Sequence, residues 1–182
     1  MRGPLLSGAL GSPATLARVC DLVRPHAPVV VLSALWLAET LASEIPVLAL
    51  VEEEKRNAAL RARRRAHKLG YPLAIVAAAS EVPLAKNSVG AVLVDSLVDI
   101  EDESAACDLL VGLLPALRPD GIVVSLDATK SPELEARVSE IFLAANLVRI
   151  AQIRPREGAL VTAAFAPHPA ISAVRVRALP VD

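Results

Sequence analysis

Pro28-Val29-Val30-Val31-Leu32 and Pro46-Val47-Leu48-Ala49-Leu50-Val51 are two apolar, largely β-branched runs of strand length, with a short helical pattern from Leu35 to Glu44 between them. Strand, helix and strand joined by short links make a parallel crossover, because the chain must return to the same end of the sheet before the next strand can start. That unit sets the fold class as α/β.

Outward from it the alternation continues. Upstream, Ser12-Pro13 reads as a cap followed by proline at the first helical position, and Leu16, Val19, Cys20 and Val23 then recur at helical spacing. Downstream, Glu52 to Leu69 is a long helix with Ala59, Ala62, Ala66 and Leu69 on one face, closed by Gly70. Pro72 to Ala77 and Gly90 to Val94 supply a third and a fourth strand. The helix after the fourth carries Ala106, Leu110, Leu113, Leu114 and Leu117 and stops at Pro119 and Gly121. Ile122 to Leu126 is the fifth strand, and Ser131-Pro132 opens a helix with Leu134, Val138, Ile141, Phe142 and Ala145 toward the core. Leu147 to Ile153 and Ala159 to Ala166 are joined only by Arg154 to Gly158, too short for a helical crossover, so they form an antiparallel pair. Ser172 to Leu179 alternates valine with arginine, as an edge strand or a loose tail does.

The 182 residues fit one domain, and a content of 54% apolar and 21% charged residues suits a sheet buried on both faces. Residues 14–166 are expected to form that domain, residues 1–13 a flexible N-terminal segment and residues 167–182 a tail or edge strand. The apolar stretch Pro28 to Ala38 ends at Glu39, short of the roughly 18 to 20 residues of a membrane span. Gly3, Pro4, Gly8 and Gly11 interrupt the only patch that imitates a secretory signal, and Cys20 and Cys107 read as core thiols in a reducing compartment. A cytoplasmic location is expected. A net charge of -1 and four aromatic residues, Trp36, Tyr71, Phe142 and Phe165, argue against a nucleic-acid module.

Two stretches carry a family resemblance. Ser80-Glu81-Val82-Pro83-Leu84-Ala85-Lys86-Asn87-Ser88-Val89-Gly90-Ala91-Val92 is similar to the loop with a Leu-Pro-Phe core and an Asn-Ser-Phe-Asp strand entry found in the class I S-adenosylmethionine (SAM)-dependent methyltransferases. Leu114-Pro115-Ala116-Leu117-Arg118-Pro119-Asp120-Gly121 resembles their Leu-Arg-Pro-Gly-Gly turn. The resemblance implies that residues 14–166 are a methyltransferase-like domain built on a Rossmann-like, doubly wound, mostly parallel seven-stranded sheet with a C-terminal antiparallel hairpin and helices on both faces. It also implies a cofactor site beyond the carboxyl ends of the strands, where strand order reverses.

In that family the loop after the first strand is glycine-rich, so that the backbone turns tightly and approaches the cofactor. Here it reads Ser33-Ala34-Leu35-Trp36-Leu37, with Ser33, Leu35 and Leu37 at the glycine positions and Val31 where an acid is common. Side chains are expected to crowd the cofactor's space, or the loop to take another path. Trp36 either fills the vacated pocket or is an ordinary core aromatic. Glu52 stands where the family's acid accepts hydrogen bonds from the ribose hydroxyls, and Glu52 to Glu54 also suit the opening of a helix. Ala78 occupies the position of an aspartate that reads the adenine amino group. Asp95, with Asp99, Glu101, Asp102 and Glu103, lies where substrate contacts or a general base would come from, and equally suits a solvated loop and first helical turn. The family site therefore maps onto Ser33, Ala34, Leu35, Trp36, Glu52, Ala78 and Asp95.

No Walker loop, serine elbow or metal-type spacing among His26, His67 and His168 is present, so no metal and no covalent nucleophile is expected. Arg61, Arg63, Arg64, Arg65, His67 and Lys68 form a basic face that either meets an acidic partner or phosphate or is solvated, partly balanced by Glu52 to Glu54. The first reading is a non-catalytic interaction or regulatory module without normal SAM binding, acting through a protein partner or self-association. The second is an active SAM-dependent methyltransferase with a diverged loop. A lower third is a nucleic-acid-associated protein using the basic helix 55–68, whose binding would weaken steeply with salt.

Overall fold

The structure, a computed structural model, describes residues 10–77, 84–100, 102–128 and 131–167. The elements run α1 (Pro13–Val23), β1 (Val29–Leu32), α2 (Leu35–Leu41), β2 (Val47–Val51), α3 (Arg56–Leu69), β3 (Leu73–Ala77), β4 (Val89–Asp95), α4 (Glu103–Leu113), β5 (Leu117–Asp127), α5 (Pro132–Ala144), β6 (Val148–Arg156) and β7 (Ala159–Phe165). The seven strands lie in the order β3-β2-β1-β4-β5-β7-β6. β1 to β5 are parallel, and β7 enters antiparallel between β5 and β6.

Burial on both faces explains the unbroken apolar runs. Every residue of β1 is buried, with Val29 and Val31 packed in one core and Val30 and Leu32 in the other. α1 and α2 cover the first face, α1 over β6 and β7 and α2 over β1 and β2, and Val19, Val23, Leu37 and Leu41 join its core. α4 and α5 cover the second with Leu110, Leu113, Ile141 and Phe142. Leu10 is buried in the first core. The Ser12 side chain accepts the Thr15 N–H at 3.3 Å, the cap that Ser12-Pro13 foretells.

Several boundaries differ from the sequence reading, among them the end of α2, which stops at Leu41 and not Glu44. The helix expected to reach Leu117 ends at Leu113, and after one 3₁₀ turn the chain enters β5 at Leu117. Arg118 to Gly121 then loop out, since Leu117 pairs with Val89 and the next pair is Ile122 with Ala91. Gly90 permits this. A Cβ there would strike the His26 carbonyl and the Arg118 guanidinium, so the three segments close only around a residue without a side chain. The long helix after β2 starts at Arg56, behind a 3₁₀ turn at Glu53–Lys55, and its last residue, Leu69, is 62% exposed because only Ala59, Ala62 and Ala66 face the sheet. β6 runs on to Arg156, so the hairpin closes at Glu157 and Gly158, the latter at φ +78°. The alternating segment at Ser172 to Leu179 lies outside the described residues. No helix among the described residues is long and apolar enough to cross a membrane.

Candidate functional site

β1 and β4 are neighbours whose chains leave in opposite directions. After Leu32, Ser33 adopts φ +59° and donates its N–H to the Leu50 carbonyl of β2 at 2.8 Å. After Asp95, Ser96 adopts φ +57° and donates to the Leu126 carbonyl of β5, also at 2.8 Å. The two exits diverge and open a crevice of about 540 Å³ at the carboxyl edge of the sheet, within the roughly 300–1,000 Å³ of small-molecule sites. Left-handed backbone costs a residue with a Cβ about 1 kcal/mol, and the fold holds it at both rims.

The crevice gathers most of the residues assigned to the family site. Ser33, Ala34, Leu35 and Trp36 line one wall, Glu52 and Lys55 the end of β2, and Asp95, Ser96 and Asp99 the other wall. Ala78 lies outside the described residues. Crowding is less than the sequence suggests: Leu37 is fully buried beneath α2, leaving Ser33 and Leu35 as the glycine-position residues that face the opening. Trp36 is 37% exposed along the wall, so it neither fills the crevice nor joins the core.

The loop's own donors are directed inward. The Ala34 N–H bonds the Leu32 carbonyl at 2.7 Å in a γ-turn around Ser33, while Ser33 N–H is held by Leu50. Glu52 caps no N–H of the turn that follows it. Its carboxylate pairs with Lys55 Nζ at 2.5 Å, and Lys55 Nζ also donates to the Ser33 carbonyl at 3.3 Å. The Lys55 contact holds the Glu52 carboxyl below the usual range, against the opposing effect of burial.

Asp127, at the end of β5, was missed in the sequence reading. It is fully buried, accepts the Val98 N–H at 3.0 Å through Oδ1, and has no hydrogen-bond partner at Oδ2 among the described residues. Burial, reinforced by the charges of Asp95 and Asp99, pushes its carboxyl up to about 6, although the Val98 N–H and the nearby Ser125 hydroxyl act the other way. The only sequence signal for it is an acid directly after the run Ile122 to Leu126. Arg137 of α5 holds the same post-β4 turn from the far side, donating to the Val98 carbonyl at 3.3 Å and the Ile100 carbonyl at 2.6 Å. Of the remaining acids, Asp102 caps α4 through the Ser104 N–H at 2.9 Å, Glu103 pairs with Arg137 at 3.4 Å, and Glu101 lies outside the described residues. Among the described residues, no three His, Cys, Asp or Glu side chains are gathered as a metal ion requires.

On α3, Arg61, Arg63, Arg64, His67 and Lys68 are exposed, while Arg65 forms a forked ion pair with Glu39 of α2 at 2.6 Å. The balance foreseen from Glu52 to Glu54 does not reach this face, because Glu52 and Glu53 pair with Lys55 and Arg56 in the preceding turn. The charged groups in reach decide the pairing, and those turns come first.

No protein-family model matches the chain, and no curated protein sequence does. Solved structures match over most of its length. A SAM-dependent methyltransferase from Aquifex aeolicus superposes with a TM-score of 0.63 at 16% identity, over 90% of this chain and 98% of that one. The CcbJ methyltransferase of Streptomyces caelestis gives 0.67 at 14% identity over 87% and 98%. A chain from the complex between the Haloferax volcanii Trm112 methyltransferase activator and a candidate methyltransferase gives 0.60 at 16% identity over 92% and 100%. With the strand order, the antiparallel seventh strand and the crevice at the switch point, these likenesses establish that the chain has the class I SAM-dependent methyltransferase fold.

Proposed function

We propose that this protein is a methyltransferase-fold module that acts through a protein partner or self-association and has lost normal SAM binding. The observation that carries the reading is Lys55, whose ammonium joins the Glu52 carboxylate to the Ser33 carbonyl. The acid in position to receive ribose hydroxyls is thereby engaged by the chain itself. The first loop's two N–H donors, Ser33 and Ala34, point into the protein in support of the same reading. A cofactor would have to displace a lysine and remake a strained turn before gaining its own contacts. The Haloferax likeness, a chain from a complex with an activator protein, is in keeping with a protein partner.

A second reading, an active methyltransferase with a diverged loop, has one observation in its favour: the crevice stays open at about 540 Å³. On that reading SAM would lie along Ser33 to Trp36 and reach Glu52 and Asp95, and would supply the methyl group. A cytoplasmic location and little affinity for nucleic acid belong to the first reading. Thermal unfolding with and without millimolar SAM separates the two. The module shows no shift, whereas ligand at 100 times its dissociation constant adds about 2.7 kcal/mol and raises the midpoint by several degrees. A clear rise would overturn the first reading.

A further inference from the structure

The two edges of the sheet are built differently. β6, at one edge, carries Arg149, Arg154, Pro155 and Arg156 and two register irregularities, the devices that stop a sheet from adding foreign strands. β3, at the other edge, is Leu73-Ala74-Ile75-Val76-Ala77, with no charge, proline or bulge. Among the described residues nothing pairs with its outer side. Val47 N–H donates to the Pro72 carbonyl, which turns the main-chain groups of Pro72, Ala74 and Val76 toward β2. The Ile75 N–H and C=O and the Leu73 C=O therefore point outward.

Both faces beside this edge are open to side chains. On one, Ile75, Leu60 and Ala59 line a hollow of about 320 Å³ rimmed by Glu53, Arg56 and Arg63, with Arg56 held by Glu53 at 3.1 Å. On the other, Ala74 and Val76 are exposed.

We infer that β3 is a docking edge for an extended segment of a partner protein that adds an eighth strand beside Ile75 and places acidic side chains against Arg63. Charge selects this occupant. At the rim Arg56 is already paired with Glu53, whereas Arg63 makes no ion pair among the described residues, and neither do the exposed Arg61 and Arg64 on the same helix, so α3 presents an excess of positive charge beside the hollow. A second copy paired edge to edge would set two such arginine rims against each other, and this chain's own C-terminal stretch would bring Arg175 and Arg177. An acidic strand meets complementary charge, obtains main-chain hydrogen bonds from Ile75 and Leu73, and seats alternate side chains on the two faces.

The inference deepens the interaction reading and rests on it for the existence of a partner, but its test is separate. Fluorescence anisotropy of the full chain uses a labelled peptide alternating valine and glutamate, and a control alternating valine and lysine. The acidic peptide is expected to bind at least about tenfold more tightly. Arg63→Glu, a change at an exposed site, should bring the two affinities together or reverse their order. By NMR, hydrogen exchange of the Ile75 amide should slow when the acidic peptide is added. Equal affinities for the two peptides, indifference to Arg63→Glu, or unchanged exchange at Ile75 would each overturn the inference. So would an Ile75 amide already protected in a homodimer without peptide. SAM binding with intact peptide binding would overturn the crevice reading alone.

Discussion

Asp127→Asn isolates the cost of a buried charge. The substitution keeps an oxygen to accept the Val98 N–H at 3.0 Å and removes only the ionisation. In the folded chain the carboxyl titrates at about 6 instead of 3.8, so the folded state binds this proton more tightly than the unfolded one. Stability from this group is therefore greatest in acid. It falls as pH rises from 3.8 toward 6 and stays low above that. Two units at about 1.36 kcal/mol each place the cost of ionised Asp127 near ~3 kcal/mol at neutral pH. The asparagine amide group falls at the site of Oδ2, beside the Ser125 hydroxyl, and if it goes unpaired there it costs about 1–3 kcal/mol at every pH. The absolute change at one pH is therefore a small difference, and the diagnostic quantity is its slope. Urea unfolding followed by circular dichroism should show the variant gaining on the wild type by on the order of 2–3 kcal/mol between pH 4 and pH 7.5. Parallel stability curves across that range would refute the reasoning.

Ser33→Gly should stabilise the chain by about 0.5–1 kcal/mol by relieving the φ of +59°, and Ser33→Val should cost more than that, both read from urea midpoints. Lys55→Ala should change stability by no more than about 1 kcal/mol, since the pair is roughly half exposed. The same variant should move the Glu52 carboxyl resonance toward an ordinary titration, because Lys55 is the main cause of its lowered value. The contribution of that pair is present above the ordinary carboxylate range and is lost as pH falls through the lowered one. Gly90→Ala should destabilise by about 1–3 kcal/mol or more in the same assay, since its Cβ would meet the backbone of His26. Phe142→Ala, which empties the core under α5, should cost about 3–5 kcal/mol.

The strands were legible because a sheet buried on both faces writes itself as continuous apolar runs: β1, β2 and β4 need no alternation to be found. Element order and the antiparallel hairpin followed from link lengths alone. Boundaries governed by tertiary contact were less legible. Leu117 continues a helical period from Leu113 yet belongs to β5, because Gly90 lets the chain close on Val89 there. In the site, the positions that converge were visible from the fold's geometry, but their partners were not. Nothing in the order Glu52-Glu53-Glu54-Lys55 says that Lys55 turns back to Glu52 and Ser33, and nothing marks Asp127 as the acid that burial perturbs. Side-chain direction at a turn and the depth of a strand end are tertiary properties.

The crevice depends on two backbone exits, which explains how it outlasts the glycines expected to line it. Ser33 and Ser96 hold nearly the same φ, and each bonds to the strand on its outer side, Leu50 for one and Leu126 for the other. Those bonds are continuations of the β1–β2 and β4–β5 ladders, so the stability of the sheet itself offsets the roughly 1 kcal/mol of strain at each serine. An opening between β1 and β4 follows wherever strand order reverses, whatever side chains the loops carry. What distinguishes a binding site from a bare opening is which donors and acceptors face inward. Here the Ala34 N–H, the Ser33 carbonyl and the Glu52 carboxylate are each taken by a neighbour within the chain. Topology thus supplies the opening, while the chain's own hydrogen bonds engage these three groups at its rim.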